Sequence, residues 1–363
     1  YTTALSIYKG GYNLMFLAWN EIKRNKLKFS LIIGILVLIS YLLFLLSGLA
    51  NGLIKMNTEG IEKWHADAII LNKDANQTVE QSVFDQSKVK DDFKQATPLK
   101  QQGVIVSNKQ KEENALLFGV TSHSFLVPKL VDGHQVKKTN EVVIDQTLKD
   151  KGFKVGDTLS LSQSDEKLKV VGITESAKYN ASPVIFSNNK TIEKINPALS
   201  KDKTNAIVVK DKNWKDHKLD SDLEGVSINA FIENLPGYKA QNLTLNFMIS
   251  FLFVISATVI GVFLYVMTLQ KTNLFGVLKA QGFTNTYLAK MVLAQTFILS
   301  LIGTAIGLIL TLLTSTILPD AVPIQFNMIT LLIFGVVLII ISLLGSLFSV
   351  LSIRKIDPLK AIG

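Results

Sequence analysis

Side chains able to do chemistry are few and scattered along the chain. Four histidines occur, His65, His123, His134 and His217, and none stands with another histidine or an acid at the spacing of a zinc site. They read as surface or capping residues. The absence of cysteine removes disulfides and thiolate metal sites. No G-x-S-x-G marks a serine nucleophile, and no G-x-x-x-x-G-K-[ST] supplies a phosphate cradle. Gly276 and Gly282 lie six residues apart, but Phe283 and Thr284 follow where Lys and Ser/Thr would be needed. The residues therefore argue against an enzyme acting alone and against a nucleotide site of the chain's own.

The elements that carry these residues are dominated by lipid-compatible runs. Segments 29–54, 243–270, 291–319 and 321–353 contain no Asp, Glu, Lys or Arg. Each exceeds the ~20 residues that cross a bilayer core as a helix. The spacing predicts spans at 29–54, 243–270, 291–318 and 326–353, with an outer loop at 319–325. The first would be about 39 Å long, more than a ~30 Å hydrocarbon core, so it tilts or continues out of the membrane. Residues 1–14 read as a leader or upstream extension before Met15, without the pattern of a signal peptide. Residues 15–28 read as a cytoplasmic amphipathic helix.

Lys and Arg near the span ends set the expected orientation. Lys23, Arg24, Lys26 and Lys28 precede the first span, and Lys271, Lys279 and Lys290 lie between the second and third. Arg354, Lys355 and Lys360 follow the fourth, whereas the loop after the third carries only Asp320. Both termini and the 271–290 loop are thus expected in the cytoplasm, and 55–242 outside. The net charge of +9 sits largely at these span ends, so it points to a membrane surface and not to nucleic acid.

Residues 55–242 are too long for a loop and read as a folded α+β domain, expected in two lobes. HADAIILN, GVIVSN, NALLFGV, EVVIDQ, DTLSLSQ, KLKVVGI, SPVIFS and NAIVVK alternate or are rich in β-branched residues, with turn residues between them. QTLKDKGFKVGD and KTIEKINPAL read as short helices. Pro236 and Gly237 mark a break before the second span. The fold class is an integral membrane α-helical protein: four transmembrane helices, with a large α+β extracytoplasmic domain between the first and second.

Between the second and third spans lies LFGVLKAQGFTNTYLAKMVLAQ (274–295), basic and helical in spacing. Leu274, Phe275, Val277 and Leu278 form its apolar face, with Gly282 placed as a C-cap and Thr284 to Thr286 as N-caps. An amphipathic element there either transmits force from a cytoplasmic partner or only anchors the loop at the interface.

This loop resembles the EFGVLKAxGxT-type loops of MacB/FtsX-type permeases of ABC transporters. The tail IRKIDPLKAIG (353–363) is similar to the ending of that group, and EVVIDQTLKDKGFKVGDTLSL with KLKVVGI to its ectodomain. Within the group, LSGLANGL (46–53), FLYVMTLQK (263–271) and DPLKAIG (357–363) most resemble the HrtB-like haem-efflux permeases. The resemblance implies a homodimeric permease in a bacterial plasma membrane, bound to two copies of an ABC ATPase that holds ATP and Mg. Haem would be the substrate, and the dimer would work more as bellows than as a tunnel. Phe275, Gly276, Val277, Leu278, Lys279 and Gly282 would couple it to the ATPase. Haem members of the group place ectodomain tyrosines near the membrane, and Tyr179 and Tyr238 match that pattern. Ferric iron accepts phenolate or thioether ligands, which adds Met56 and Met248. Lys55 and Lys239 could meet haem propionates or lipid phosphates. Export of antimicrobial peptides or lipids, and FtsX-like action on an extracellular partner, are the alternatives.

Overall fold

The computed structural model describes residues 16, 18–89, 93–108, 111–318 and 322–354. The leader at 1–14, Asp320 and the DPLKAIG tail lie outside the described residues. The chain divides into a membrane unit, residues 1–52 with 243–363, and an ectodomain unit, 53–242.

In the membrane unit the apolar runs become four long helices: α1 (Lys26–Glu62), α5 (Tyr238–Gln270), α7 (Asn285–Ser315) and α8 (Met328–Arg354). Hydrocarbon offers no hydrogen-bond partner, so the backbone must satisfy itself within each segment. Four buried hydroxyls obey the same constraint. Ser256, Thr296, Thr311 and Ser342 are buried, and each donates to the carbonyl four residues earlier, at 2.7–2.9 Å. At 37 residues α1 is longer than its apolar run. It continues past the hydrocarbon limit, as the length of the run anticipated.

Close approach between helices is made by small residues, because lipid leaves packing as the main driving force. A Cβ on Gly303 of α7 would stand 2.5 Å from Leu36 Cβ of α1, and one on Gly307 2.0 Å from Ser40 Oγ. Ser40 donates to the Gly303 carbonyl at 3.2 Å across that seam. At the other end of the unit, the connector before α8 lies on the small face of LSGLANGL. A Cβ on Gly48 would strike the Phe326 ring at 2.3 Å, and one on Gly52 the Pro323 carbonyl oxygen at 1.9 Å. Asn51 Nδ2 donates to the Gln325 carbonyl at 2.9 Å, and Gln325 N donates to the Gly48 carbonyl at 3.0 Å.

In the ectodomain the described strands join into one main sheet. From one edge the order is β13 (Leu223–Ser227), β1 (Ala68–Asn72), β12 (Ala206–Val209), β3 (Ala96–Ser107) and β4 (Glu112–Val120). It continues through β10 (Ser182–Asn188), β6 (Glu141–Asp145), β8 (Ser164–Thr174) and β5 (Leu130–Gly133). Pairs β4–β10 and β6–β8 are parallel. The period of two sorts side chains onto two cores. Phe118 and Val120 of β4, Val143 of β6 and Phe186 of β10 enter one cluster. Leu117, Val142, Ile144 and Ile185 enter the other, with Leu148, Phe153 and Ile192. Two lobes were expected; the strands instead hydrogen-bond continuously, with β3 long enough to pair with β12, β4 and β7 (Thr158–Leu161). Ile61 and Trp64, at the end of α1, and Leu235, just before α5, all insert in the first cluster.

Gly307→Ala is expected to lower the thermal midpoint of the purified chain, although Ala is the better helix former by ~1 kcal/mol. Overpacking a tight seam costs about 1–3 kcal/mol. Gly34, where an added Cβ meets nothing within 4 Å, is the control. Equal midpoints for Gly307→Ala and Gly34→Ala would remove the packing role of Gly307.

Candidate functional site

The polar contacts at the basic end of the membrane unit gather on one carboxylate. Residues 18–24 are helical, and Glu21 from that stretch forms an ion pair with Lys271, the residue between α5 and α6 (Thr272–Ala280). Its other oxygen accepts from Gln295 Nε2 of α7. The side chains of Glu21 and Lys271 are 13% and 15% exposed. The Lys271 ammonium also sits 5.0 Å from the centroid of the Phe29 ring in α1, a cation–π distance. Lys28 Nζ donates to Gln270 Oε1 at 2.9 Å. The N-terminal stretch and the first turn of α1 are thus each tied to the junction of α5 and α6 by a polar contact. The sequence reading singles out neither Glu21 nor Gln295. The available signal was that Glu21 is the lone acid among the cations of 15–28.

α6 ends as the sequence predicts. Gly282 adopts φ +92°, its N–H donates to the Lys279 carbonyl at 3.0 Å, and Phe283 N donates to the Leu278 carbonyl at 3.1 Å. This is the Schellman pattern, which needs a left-handed residue after the cap. Thr284 then caps α7, its side chain accepting from Tyr287 N. The apolar face, which the sequence allows either to meet a partner or to anchor the loop, is divided: Phe275 is 1% exposed and packs on Leu288 and Val292 of α7, with Leu278 beside them. Gly276 is also buried. Leu274 and Val277 point away, 48% and 39% exposed. The periodicity identified one apolar helix; its strongest hydrophobes fasten it to α7, and Leu274 and Val277 stay exposed. Lys279 is half-buried on the same helix.

The two tyrosines meet the same apolar cluster at different depths. Tyr179 lies in the short strand β9 (Lys178–Tyr179), 6% exposed in the first cluster. Its ring is 6.5 Å from Trp64, 5.7 Å from Phe118 and 6.5 Å from Phe231. Burial, with a smaller contribution from the Glu80 charge, pushes its phenol far above the usual tyrosine range. A phenol so enclosed is a core group, and the expected ligand role of Tyr179 is withdrawn for this conformation. Tyr238 is half-buried at the start of α5, with its ring packed on the edge of the same cluster. Met56 is half-buried, and its carbonyl accepts from Ala181 N at 3.1 Å. Met248 is 46% exposed on α5, in the membrane unit. Lys55 is engaged by Glu62, while Lys239 is exposed. Among the described residues no group of three His, Asp or Glu could hold a metal ion.

Two family models match the chain. The MacB-like periplasmic core domain covers residues 29–213, and the FtsX-like permease C-terminal model covers 246–358. A putative hemin transport system permease protein HrtB of Staphylococcus epidermidis is 32% identical over 355 residues, 96% of this chain and 99% of the relative. The corresponding protein of Staphylococcus haemolyticus is 30% identical over 357 residues, 96% of this chain and 99% of that relative. An uncharacterized ABC transporter permease of Mycobacterium tuberculosis is 22% identical over 270 residues, 74% of each chain. The periplasmic region of MacB from Actinobacillus actinomycetemcomitans aligns over 47% of this chain and 92% of that one, with 15% identity and a TM-score of 0.35. With both family models and near full-length relatives in agreement, the chain belongs to the MacB/FtsX-type family of ABC transporter permeases.

Proposed function

We propose that the chain is the permease of an ATP-driven exporter that removes haem from the membrane. The observation that carries this reading is the 32% identity, across 96% of the chain, to a putative hemin transport system permease. Haem suits such a pump chemically, since its ring partitions into lipid and its ferric iron takes axial ligands. The working unit is a homodimer with two copies of a separate ABC ATPase, which holds ATP and Mg. Tyr238 is the ectodomain tyrosine with surface left for a ligand, and Met56 and Met248 offer thioethers.

In this reading the N-terminal segment and α6 receive the ATPase movement. Trp19, 40% exposed and covered by Lys23 at 5.3 Å, supplies contact surface with Leu274 and Val277. Glu21 then joins both receiving elements to α7, so that they move as one. The Lys and Arg excess at 23–28, at 271–290 and after 353 supports placing these parts in the cytoplasm of a bacterial cell.

Hemin titrated into the purified chain is expected to give a bound Soret band, and Tyr238→Phe, which deletes only the phenol oxygen, to shift it and raise the haem sensitivity of cells. A parent that binds no hemin would transfer the reading to export of peptides or lipids. An unchanged Tyr238→Phe variant would remove that ligand alone.

The orientation is tested in a chain that has no native thiol. In intact cells an impermeant maleimide is expected to label Lys154→Cys and not Lys279→Cys. Labelling of the 279 position from outside would reverse the topology.

A further inference from the structure

The ectodomain holds a cavity of about 350 Å³ at the end of α1, within the 300–1,000 Å³ usual for small-molecule sites. Trp64, Phe125 and Phe186 line it with Leu126, Val127 and Pro128. Its other lining residues include Lys63, His65 and Lys129, and none is acidic. Trp64 and Phe186 belong to the first apolar cluster, so two of its three rings are fixed by the core. Phe125 packs against the same cluster, and the Lys210 ammonium lies 5.9 Å from its ring centroid.

The polar groups are not spent on the protein alone. Lys63 donates to the Glu175 carbonyl, but Lys129 is exposed and makes no side-chain hydrogen bond or ion pair among the described residues. His65 is exposed as well, and its imidazole has no partner among them. The backbone there is unusual. α1 ends with Trp64 N donating to Ile61 O and His65 N to Glu62 O, and His65 then takes φ +47°. A non-glycine residue in the left-handed region costs of order 1 kcal/mol or more, and such positions favour sites where the side chain is used. On the far wall, Ala177 N donates to Asp145 Oδ2 at 2.9 Å, and Thr174 Oγ1 donates to the Lys129 carbonyl at 2.7 Å. These bonds brace the wall from β6 and β8.

An apolar, three-ring enclosure with a free cation and a free imidazole fits one chemistry: a flat apolar anion carrying a metal that accepts nitrogen. We propose that this cavity is a second haem station, in the ectodomain and separate from Tyr238. The ring lies among Trp64, Phe125 and Phe186, His65 ligates the iron, and Lys129 meets a propionate. The inference rests on the haem reading above and deepens it by giving the substrate a place beyond the membrane surface. The cluster that buries Tyr179 forms the floor, so the cavity takes over the role the sequence suggested for that tyrosine.

The test uses the full-length purified chain in a Tyr238→Phe background, with hemin and iron-free protoporphyrin IX as the two probes. His65→Ala is expected to move the Soret band and weaken hemin about tenfold, while protoporphyrin binding stays as it was. Lys129→Glu is expected to weaken both probes about tenfold, because both carry propionates. Both substitutions are at exposed positions, so folding is preserved. If hemin binds the background chain with the same spectrum and affinity after His65→Ala, the cavity is not the site and the haem reading stands. If the parent chain binds no hemin, this proposal and the haem reading fall together.

Discussion

The carboxylate of Glu21 is held by two donors about 250 and 270 positions further along the chain, Lys271 and Gln295. Near a membrane that arrangement is expensive to break. Removing one partner of a largely buried ion pair leaves an uncompensated charge, a loss of about 3 kcal/mol or more. The pair adds a polar tie to three elements that also share apolar packing. The N-terminal helical stretch buries Ala18 and Ile22, the latter in a cluster with α1, α5 and α7, while α6 is only nine residues long and α7 begins just beyond the turn at Gly282. Phe275 packed on Leu288 and Val292 gives α6 its apolar anchor, and the carboxylate sets where the N-terminal stretch rests upon it.

The remaining membrane unit follows from the same shortage of hydrogen-bond partners. Backbone groups, and hydroxyls such as those of Ser256, Thr296, Thr311 and Ser342, satisfy themselves along their own helix, so association relies on shape. Glycines at 303 and 307 bring α7 against α1, while those at 48 and 52 seat the connector before α8. In the ectodomain the opposite regime holds. Water is available at the rim, and stability comes from a sheet whose alternating residues fill two cores. The end of α1 and the residue before α5 enter one of these cores through Trp64 and Leu235.

The four spans were legible because charge is absent from each run, a signal that needs no tertiary information. The turn at Gly282 and the cap at Thr284 were legible for local reasons, since left-handed φ and a helix N-terminus each select a short list of residues. Helix ends were less so: α1 runs on through Asn57 and Glu62, whose polarity hides a helix from any hydropathy criterion. The orientation of α6 could not be read either. Its apolar stripe is the same whether it meets α7 or another protein, and only the fold shows Phe275 turned inward and Leu274 outward. Tyr179 misled for a related reason. A two-residue strand carries no alternation, so its burial beneath Trp64 and Phe118 left no trace in the sequence. His65 read as a surface residue and is exposed; the cavity it lines, assembled from the end of α1, the segment after β4, β8 and β10, leaves no spacing signal along the chain.

The central claim is that the Glu21–Lys271 pair, supported by Gln295, joins the N-terminal stretch and α6, the elements proposed to receive the ATPase movement, to the transmembrane helices. A charge-exchange cycle tests it most directly: haem export by cells carrying Glu21→Lys, Lys271→Glu or both, with the amount of protein in the membrane measured alongside. Gln295 can offer its amide oxygen to a lysine at position 21 as readily as its nitrogen to the native carboxylate. The account predicts that each single variant reaches the membrane but loses export about tenfold or more, and that the double variant recovers most of it. A double variant as inactive as the singles, or singles that export like the parent, would contradict it.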